Sequence, residues 1–231
     1  MRAMDLRAFA ALTFDCYGTL IDWESGILDA LAPLRREAGS EVGDEELLER
    51  FAAVEARFQT GEFKRYRAVL CDVGREMARF LGVSLRPGDG GFLADSIADW
   101  KPFPDTVSAL AKLKAQFQLA IVSNIDDDLF ALTAKRLQVP FDYVVTAEQV
   151  GSYKPAHGNF LRAIERIGLP RGQILHVAQS LYHDIKPADE LGLSTVWVNR
   201  RGGKPGSGAT PPASATPVLE VPDLATLVSL L

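Results

Sequence analysis

Seven polar residues that could do chemistry stand at or shortly after the ends of short apolar runs in this sequence. They are Asp15, Thr19, Ser123, Asn124, Lys154, Ser180 and Asp184. If these residues meet, two carboxylates, one ammonium group and several hydroxyl or amide groups surround one site. Such a set could use a carboxylate as a nucleophile, because a buried acid stays ionised beside an opposite charge and hydrogen-bond donors.

The apolar runs themselves predict the strands of a parallel sheet. Five of them are rich in Val, Ile and Leu, as is typical of strands buried on both faces: "AALTF", "LAIVSN", "YVVTA", "ILHVAQS" and "STVWVN". Between them, segments such as "PDTVSALAKLKAQF" and "HGNFLRAIERIGL" have apolar residues at helical spacing. Alternating strands and helices predict an α/β fold with a doubly wound parallel sheet, in which ligands bind at the carboxyl ends of the strands. The polar residues should therefore converge there.

The region from residue 22 to residue 97 has a different pattern. It carries helical periodicity, as in "DEELLERFAAVEARF" and "YRAVLCDVGREMARFLG", and no comparable strand. We predict a helical cap domain at 22–97, inserted into an α/β catalytic core made of residues 1–21 and 98–231. Residues 200–217 are rich in Gly, Pro, Ser and Ala, and we predict a surface loop that packs no core.

Composition and charge exclude several classes of partner. The formal charge is -5 and the 25 basic residues are scattered, so no nucleic-acid partner is predicted. Cys16 and Cys71 lie far apart and lack the spacing of metal ligands. No apolar stretch approaches the length of a membrane span and the N-terminus is a poor signal peptide, so we predict a cytoplasmic protein without a membrane partner.

Four motifs in order resemble those of the haloacid dehalogenase superfamily, specifically its type II 2-haloacid dehalogenase branch. They are Asp-x-Tyr-Gly-Thr-Leu at 15–20, Ser-Asn at 123–124, Lys-Pro at 154–155 and the acid-bearing "AQSLYHD" at 178–184. The resemblance covers nearly the whole chain and implies a Rossmann-like core with the helical region as that branch's cap. It also implies a possible homodimer.

The resemblance implies a covalent mechanism. Asp15 would be the nucleophile and would form an ester, which water later cleaves. Asp184 would position or deprotonate that water, unless it is merely the N-cap of the following helix. The groups that would hold the nucleophile ionised and oriented are Lys154, Thr19, Ser123 and Asn124.

Two positions distinguish carbon-halogen cleavage from phosphate ester cleavage. Superfamily phosphatases usually have a second aspartate where this chain has Tyr17, because an alkoxide leaving group must be protonated. A halide leaves as a stable anion and needs no acid. Gln179 stands where phosphatases have one of the acids that hold Mg²⁺. Both differences favour a metal-free dehalogenase.

The resemblance also implies a set of substrate-binding residues. A cap arginine would bind the substrate carboxylate, and Arg57 is our choice because Gln59 follows it as in the family pattern. Arg65 and Arg67 are its rivals. The other residues predicted to contact the substrate are Tyr17, Phe63, Tyr66, Ser180 and His183.

Two departures from the type II pattern concern donors near the lysine and the water. Phe160 replaces a tyrosine, and Leu181 replaces an asparagine. His183 and Ser180 could take over that role. His176 and His157 are predicted to be structural or exposed.

Three functions fit this sequence. The leading hypothesis is a hydrolase of short 2-haloalkanoic acids that needs no cofactor. The first alternative is a phosphomonoesterase that holds Mg²⁺ through Asp15 and Asp184, and the second is a non-catalytic binding protein with the same fold.

Overall fold

A six-stranded sheet forms the centre of the structure, a computed structural model that describes residues 5–86 and 88–231. All paired strands are parallel, in the order β3-β2-β1-β4-β5-β6. The strands are β1 (Ala11–Phe14), β2 (Gln118–Ser123), β3 (Tyr143–Thr146), β4 (Ile174–Ala178), β5 (Ser194–Val198) and β6 (Leu219–Val221).

The predicted α/β fold with a doubly wound parallel sheet is confirmed. The first five strands match the five apolar runs, because strands buried on both faces need near-continuous apolar sequence. The short edge strand β6 was not predicted. It has only 3 residues and Glu220 at its centre is exposed, so it lacks the apolar signal of the others.

Ten α-helices in the described ranges surround and extend this sheet. In chain order they are α1 (Trp23–Glu37), α2 (Asp44–Phe58), α3 (Tyr66–Leu81), α4 (Phe92–Ser96), α5 (Thr106–Lys114), α6 (Asp127–Leu137), α7 (Ala147–Val150), α8 (Gly158–Ile167), α9 (Lys186–Glu190) and α10 (Leu224–Ser229). Helices α1 to α4 lie between β1 and β2 along the chain, where a helical cap was predicted. The division into core and cap at 21/22 and 97/98 stays a prediction. No helix in the described part of the chain is long and apolar enough to cross a membrane.

Strand β1 determines where the site forms. It pairs with β2 on one side and β4 on the other, so the chain changes direction across the sheet at this strand. Directly after β1, the amides of Leu20 and Ile21 donate to the carbonyl of Cys16. Gly18 permits this turn, because its φ of 92° lies in the left-handed region that side chains disfavour. The turn leaves Asp15 at the carboxyl end of β1.

The loop at 200–217 packs more closely than predicted. Thr210 is buried, at 5% exposure, although the surrounding sequence is rich in Gly and Pro. Arg201 donates to Glu24 of α1 and to Glu45 of α2, both at 2.5 Å. The segment is a loop and most of it is exposed or half-buried, as predicted, but the expectation that it packs no core was wrong for residues 208–210, which are buried.

Gly26 gives a test of how α1 packs. This buried helical residue faces the indole of Trp100, and a β-carbon at position 26 would lie 2.5 Å from Cγ of that ring. We expect Gly26→Ala to lower the free energy of unfolding by about 1–3 kcal/mol, because the close-packed ring has to shift. Urea unfolding measures this loss. Gly172→Ala is the matched control, since its β-carbon would meet nothing within 4 Å. Equal stability losses in the two variants would contradict this packing.

Candidate active site

Asp15 is held from two sides at the end of β1. The Lys154 ammonium donates to its Oδ1 at 2.9 Å, and the Thr19 hydroxyl donates to its Oδ2 at 2.7 Å. Thr19 is itself fixed, because the backbone N–H of Gln179 donates to its Oγ1 at 2.9 Å. The turn after β1 and the segment after β4 thus jointly orient one carboxylate.

The Lys154 ammonium is the centre of the site. Besides Asp15, it donates to Oδ1 of Asp184 at 2.7 Å and to the Val122 carbonyl of β2 at 2.8 Å. An ammonium group has three hydrogens, so all of its donors are used. The side chain is 1% exposed, and a buried cation needs such partners. Lys154 therefore connects the ends of β1, β2 and β4.

Asp184 receives a second donor from a histidine in β4. Nε2 of His176 lies 3.0 Å from Oδ1 of Asp184, and its Nδ1 lies 2.8 Å from the Thr13 hydroxyl. Phe160 packs edge-on against the His176 ring at 5.1 Å. His176 was predicted to be structural or exposed. It is buried, so it is structural, and its contact with Asp184 was not predicted.

Burial and the lysine charge act on the two acids in opposite directions. Burial raises the pKa of Asp15, and Lys154 offsets this only in part because the charge of Asp184 also raises it. Burial acts in the same direction on Asp184, but Lys154 and His176 outweigh it and the pKa of Asp184 is lowered. Burial acts to lower the pKa of Lys154, but the two acids outweigh it and raise it. Asp184 therefore stays ionised more readily than Asp15.

Ser123, the last residue of β2, and Asn124, the residue after it, do not donate to Asp15. The Asn124 amide donates to the Lys154 carbonyl at 3.0 Å and accepts from the Lys154 N–H at 2.7 Å. Asn124 thus positions the lysine backbone. Oγ of Ser123 is buried without a hydrogen-bond partner in the described residues. It is available to a bound ligand.

A short π-helical turn, Leu181–Ile185, presents Asp184. Ser180 begins this turn, and its Oγ accepts from the His183 N–H at 2.8 Å. Asp184 does not cap the following helix α9, whose N-cap residue is Ile185. Burial lowers the pKa of His183 to about 4, so its imidazole is neutral near pH 7.

The residues surround one small cavity of about 30 Å³. The core contributes the lining residues Asp15, Tyr17, Ser123, Asn124, Lys154, Ser180, His183, Asp184 and Thr210. The helical region between β1 and β2 contributes Trp23, Glu55, Tyr66 and the α2 cap residue Gln59. A cavity of this size admits only a few heavy atoms, since a single water already needs about 10–15 Å³ of such space. Nine of the twelve predicted site residues line it, and Thr19 contacts Asp15 beneath it.

Two predicted substrate residues lie elsewhere. Arg57 is 60% exposed, pairs with Glu76 at 3.5 Å and does not line the cavity. Arg57 was expected to bind the substrate carboxylate, but the side of α2 that carries Arg57 faces outward. Phe63 packs against Tyr153 at 5.2 Å outside the lining. The two rival arginines, Arg65 and Arg67, form ion pairs with acids at the surface.

Some cavity residues were not predicted from the sequence. Glu55 is the most informative, because it is 3% exposed and Tyr66 donates a short hydrogen bond to its Oε1. It extends the buried stripe of α2 that includes Phe51 and Ala52, and an acid within an apolar stripe was a signal that could have been read. Thr210 had no such signal, since a loop of small residues has no periodicity.

The site fits Mg²⁺ poorly. Mg²⁺ prefers several oxygen ligands, but the two carboxylates at the strand ends, Asp15 and Asp184, are already bridged by the Lys154 ammonium. Gln179 stands at the third acidic position, and its side chain points to Thr210. Among residues 5–86 and 88–231, no group of three or more His, Cys, Asp or Glu side chains is placed to hold a metal.

Lys154→Met tests the central ion pairs. The variant leaves two buried acids without a cation, so their folded pKa values rise above the unfolded ones. Stability is then lost as pH rises through those values and is regained on protonation. We expect a deficit of about 3–5 kcal/mol near pH 7, shrinking toward about pH 5, in urea unfolding.

Lys112→Met is the control for this variant. Lys112 is exposed on α5, so its replacement should change stability by no more than about 0.5 kcal/mol at either pH. A Lys154→Met deficit that is absent, or equal at both pH values, would contradict the assigned ion pairs.

Comparison with known proteins agrees with this fold. The chain is 27% identical over 203 residues to an (S)-2-haloacid dehalogenase of Pseudomonas putida, which covers 86% of this chain and 88% of that protein. It is 29% identical over 197 residues to an (S)-2-haloacid dehalogenase of Pseudomonas fluorescens, with 82% and 84% covered. A crystal structure of an L-2-haloacid dehalogenase matches with a TM-score of 0.77 at 25% identity and covers 96% of this chain and 97% of that one.

A family model supplies the broader assignment. The model described as haloacid dehalogenase-like hydrolase matches residues 9–192, which is most of the chain. This protein therefore belongs to the haloacid dehalogenase-like hydrolase family.

Proposed function

We propose that this protein is a hydrolytic dehalogenase of short 2-haloalkanoic acids that works without a metal. The observation that carries the proposal is the arrangement around Asp15. Its carboxylate faces a small cavity, Lys154 and Thr19 hold it, and no acid stands at position 17 to protonate a leaving group. The relatives named as 2-haloacid dehalogenases support this substrate class.

The first step is an attack of Asp15 on carbon. One carboxylate oxygen forms a bond to C2 of the substrate from the side opposite the halogen. The carbon-halogen bond breaks, the halide leaves with the electron pair, and an ester of Asp15 results. Configuration at C2 is inverted. Lys154 and Thr19 stabilise Asp15 as an anion before the attack and orient it.

The second step is hydrolysis of the ester, and Asp184 is the proposed base. Its Oδ1 is held by Lys154 and His176, whereas its Oδ2 has no partner in the described residues. Oδ2 takes a proton from water as the water oxygen bonds to the carbonyl carbon of the Asp15 ester. The ester bond then breaks, and the departing 2-hydroxy acid receives that proton. Asp15 is left as a carboxylic acid, which loses the second proton of the water to solvent and so becomes the ionised nucleophile again.

Phosphate ester cleavage is the less favoured alternative. It needs an acid to protonate the leaving alkoxide, and Tyr17 is a poor substitute. The Tyr17 hydroxyl lies 2.7 Å from the Thr133 hydroxyl, and burial raises the pKa of Tyr17 well above its ordinary value. A halide needs no such acid. A homodimer and a cytoplasmic location remain further proposals from the family resemblance.

The size of the cavity narrows the proposed substrates. About 30 Å³ suits a haloacetate or a 2-halopropionate better than longer chains. Trp23 and Tyr66 supply the apolar surface that would shield the halogen from water.

Halide release tests the proposed activity. The protein is incubated with 2-chloropropionate and with a chromogenic phosphate ester, each with EDTA or with Mg²⁺. We expect chloride release that EDTA leaves unchanged and that Asp15→Asn lowers at least about a thousandfold. Asp29→Asn, an exposed aspartate of α1, should retain full activity. Phosphate release that requires Mg²⁺, without chloride release, would overturn the proposal.

Asp184→Asn tests the second step alone. Without the base, we expect one halide released per protein molecule and then a stall, with the ester retained on Asp15. Intact-protein mass spectrometry should show the added organic group, and digestion should locate it at Asp15. Asp189→Asn, an exposed aspartate of α9, should show full turnover and no adduct. Steady turnover by Asp184→Asn would assign the base to another residue.

A further inference from the structure

The cavity contains an acid where a haloacid substrate needs a donor. Glu55 of α2 and Gln59, the C-cap residue of that helix, lie four residues apart, and both line the cavity. The Tyr66 hydroxyl of α3 donates to Oε1 of Glu55 and fixes the carboxyl group. Among residues 5–86 and 88–231, no arginine lines the cavity, and Arg57 points away from it.

We propose that Glu55 is the specificity-determining residue of this cavity and that, in its protonated form, it donates a hydrogen bond to the carboxylate of the haloacid. This inference rests on the proposed function, because it assumes that the substrate is a 2-haloalkanoate.

Charge balance in the cavity supports a protonated Glu55. Lys154 is the one Lys or Arg side chain that the described part of the chain contributes to the lining, and its three hydrogens already bind Asp15, Asp184 and a carbonyl. An ionised Glu55 would give three carboxylates beside one ammonium group, and the substrate would add a fourth. Four acids around one cation in so small a space are strongly unfavourable. A protonated Glu55 removes one charge and supplies a donor.

Burial makes this protonation accessible near neutral pH. It raises the pKa of Glu55 to about 7, against the opposing effect of the Tyr66 hydrogen bond. Burial also raises the pKa values of Tyr66 and Tyr153, which therefore stay neutral. The other titratable groups that face the cavity are Asp15, Tyr17, Lys154, His183 and Asp184. Of these, only the ammonium of Lys154 favours an ionised Glu55, and both aspartates oppose it.

The hydrogen bond from Tyr66 leaves one oxygen free to act. Oε1 of Glu55 accepts from Tyr66, whereas Oε2 has no hydrogen-bond partner within the part of the chain that the structure describes. A proton on Oε2 can therefore be donated to a ligand in the cavity. Gln59, at the C-terminal end of α2, offers a second neutral donor.

The pH dependence of turnover tests the role of Glu55. The kcat/KM values for chloroacetate and for neutral chloroacetamide are measured by halide release from about pH 5.5 to about pH 9. Wild-type kcat/KM for chloroacetate should fall about tenfold per pH unit above about pH 7, chiefly through KM, because the donor is lost and a like charge appears. Chloroacetamide turnover should show no such fall.

Glu55→Gln isolates the residue. Glutamine keeps a neutral donor at every pH, so the fall for chloroacetate should disappear and the variant should exceed wild type roughly a hundredfold near pH 9. Glu46→Gln, at an exposed position of the same helix, should follow the wild-type profile. Tyr66→Phe removes the hydrogen bond that lowers the pKa of Glu55, so the fall should move to higher pH.

Several outcomes would overturn the inference. A flat wild-type profile for chloroacetate would do so, as would a fall that persists in Glu55→Gln. A preference for chloroacetamide at every pH would mean that the cavity selects neutral substrates. Absence of halide release from both substrates in every variant would instead refute the proposed function. Circular dichroism of each variant identifies any loss of folding. If Glu55→Gln does not fold, the predicted shift of the Tyr66→Phe pH profile to higher pH still tests the inference.

Discussion

The ammonium group of Lys154 connects most parts of this site. Its three hydrogen bonds reach the ends of β1, β2 and β4, and Asn124 holds the same residue through its backbone. A buried ammonium needs all of these partners, and the two buried acids need the ammonium. The fold therefore brings together three strand ends whose side chains are stable only in combination, and the same combination leaves Asp15 facing the cavity.

The core part of the site could be predicted because simple rules relate it to the sequence. Strands buried on both faces have continuous apolar runs, and the carboxyl ends of parallel strands lie at one edge. These rules were sufficient to group Asp15, Ser123, Lys154 and Asp184. They did not give individual hydrogen bonds, so Asn124 was assigned to the nucleophile although its amide binds the Lys154 backbone.

The helical side of the cavity was harder to predict. Periodicity gives a helix and its buried face, but the rotation of that helix over the core depends on tertiary packing. Arg57 and Glu55 are two residues apart on α2, and so they lie on different faces. The family pattern favoured the arginine, whereas the structure buries the acid. Thr210 enters from a loop ordered by the ion pairs of Arg201, which no local pattern indicates.

The proposed chemistry depends on Asp15 becoming covalently attached to the substrate, and isotope labelling measures this directly. Excess enzyme is allowed a single turnover of 2-chloropropionate in water labelled with heavy oxygen. Because water attacks the carbonyl carbon of the ester, the label should enter the Asp15 carboxylate, and the first product should carry unlabelled oxygen from the enzyme. Label in the hydroxyl group of the first product, with none in Asp15, would show that water displaces the halide directly and would contradict the covalent mechanism.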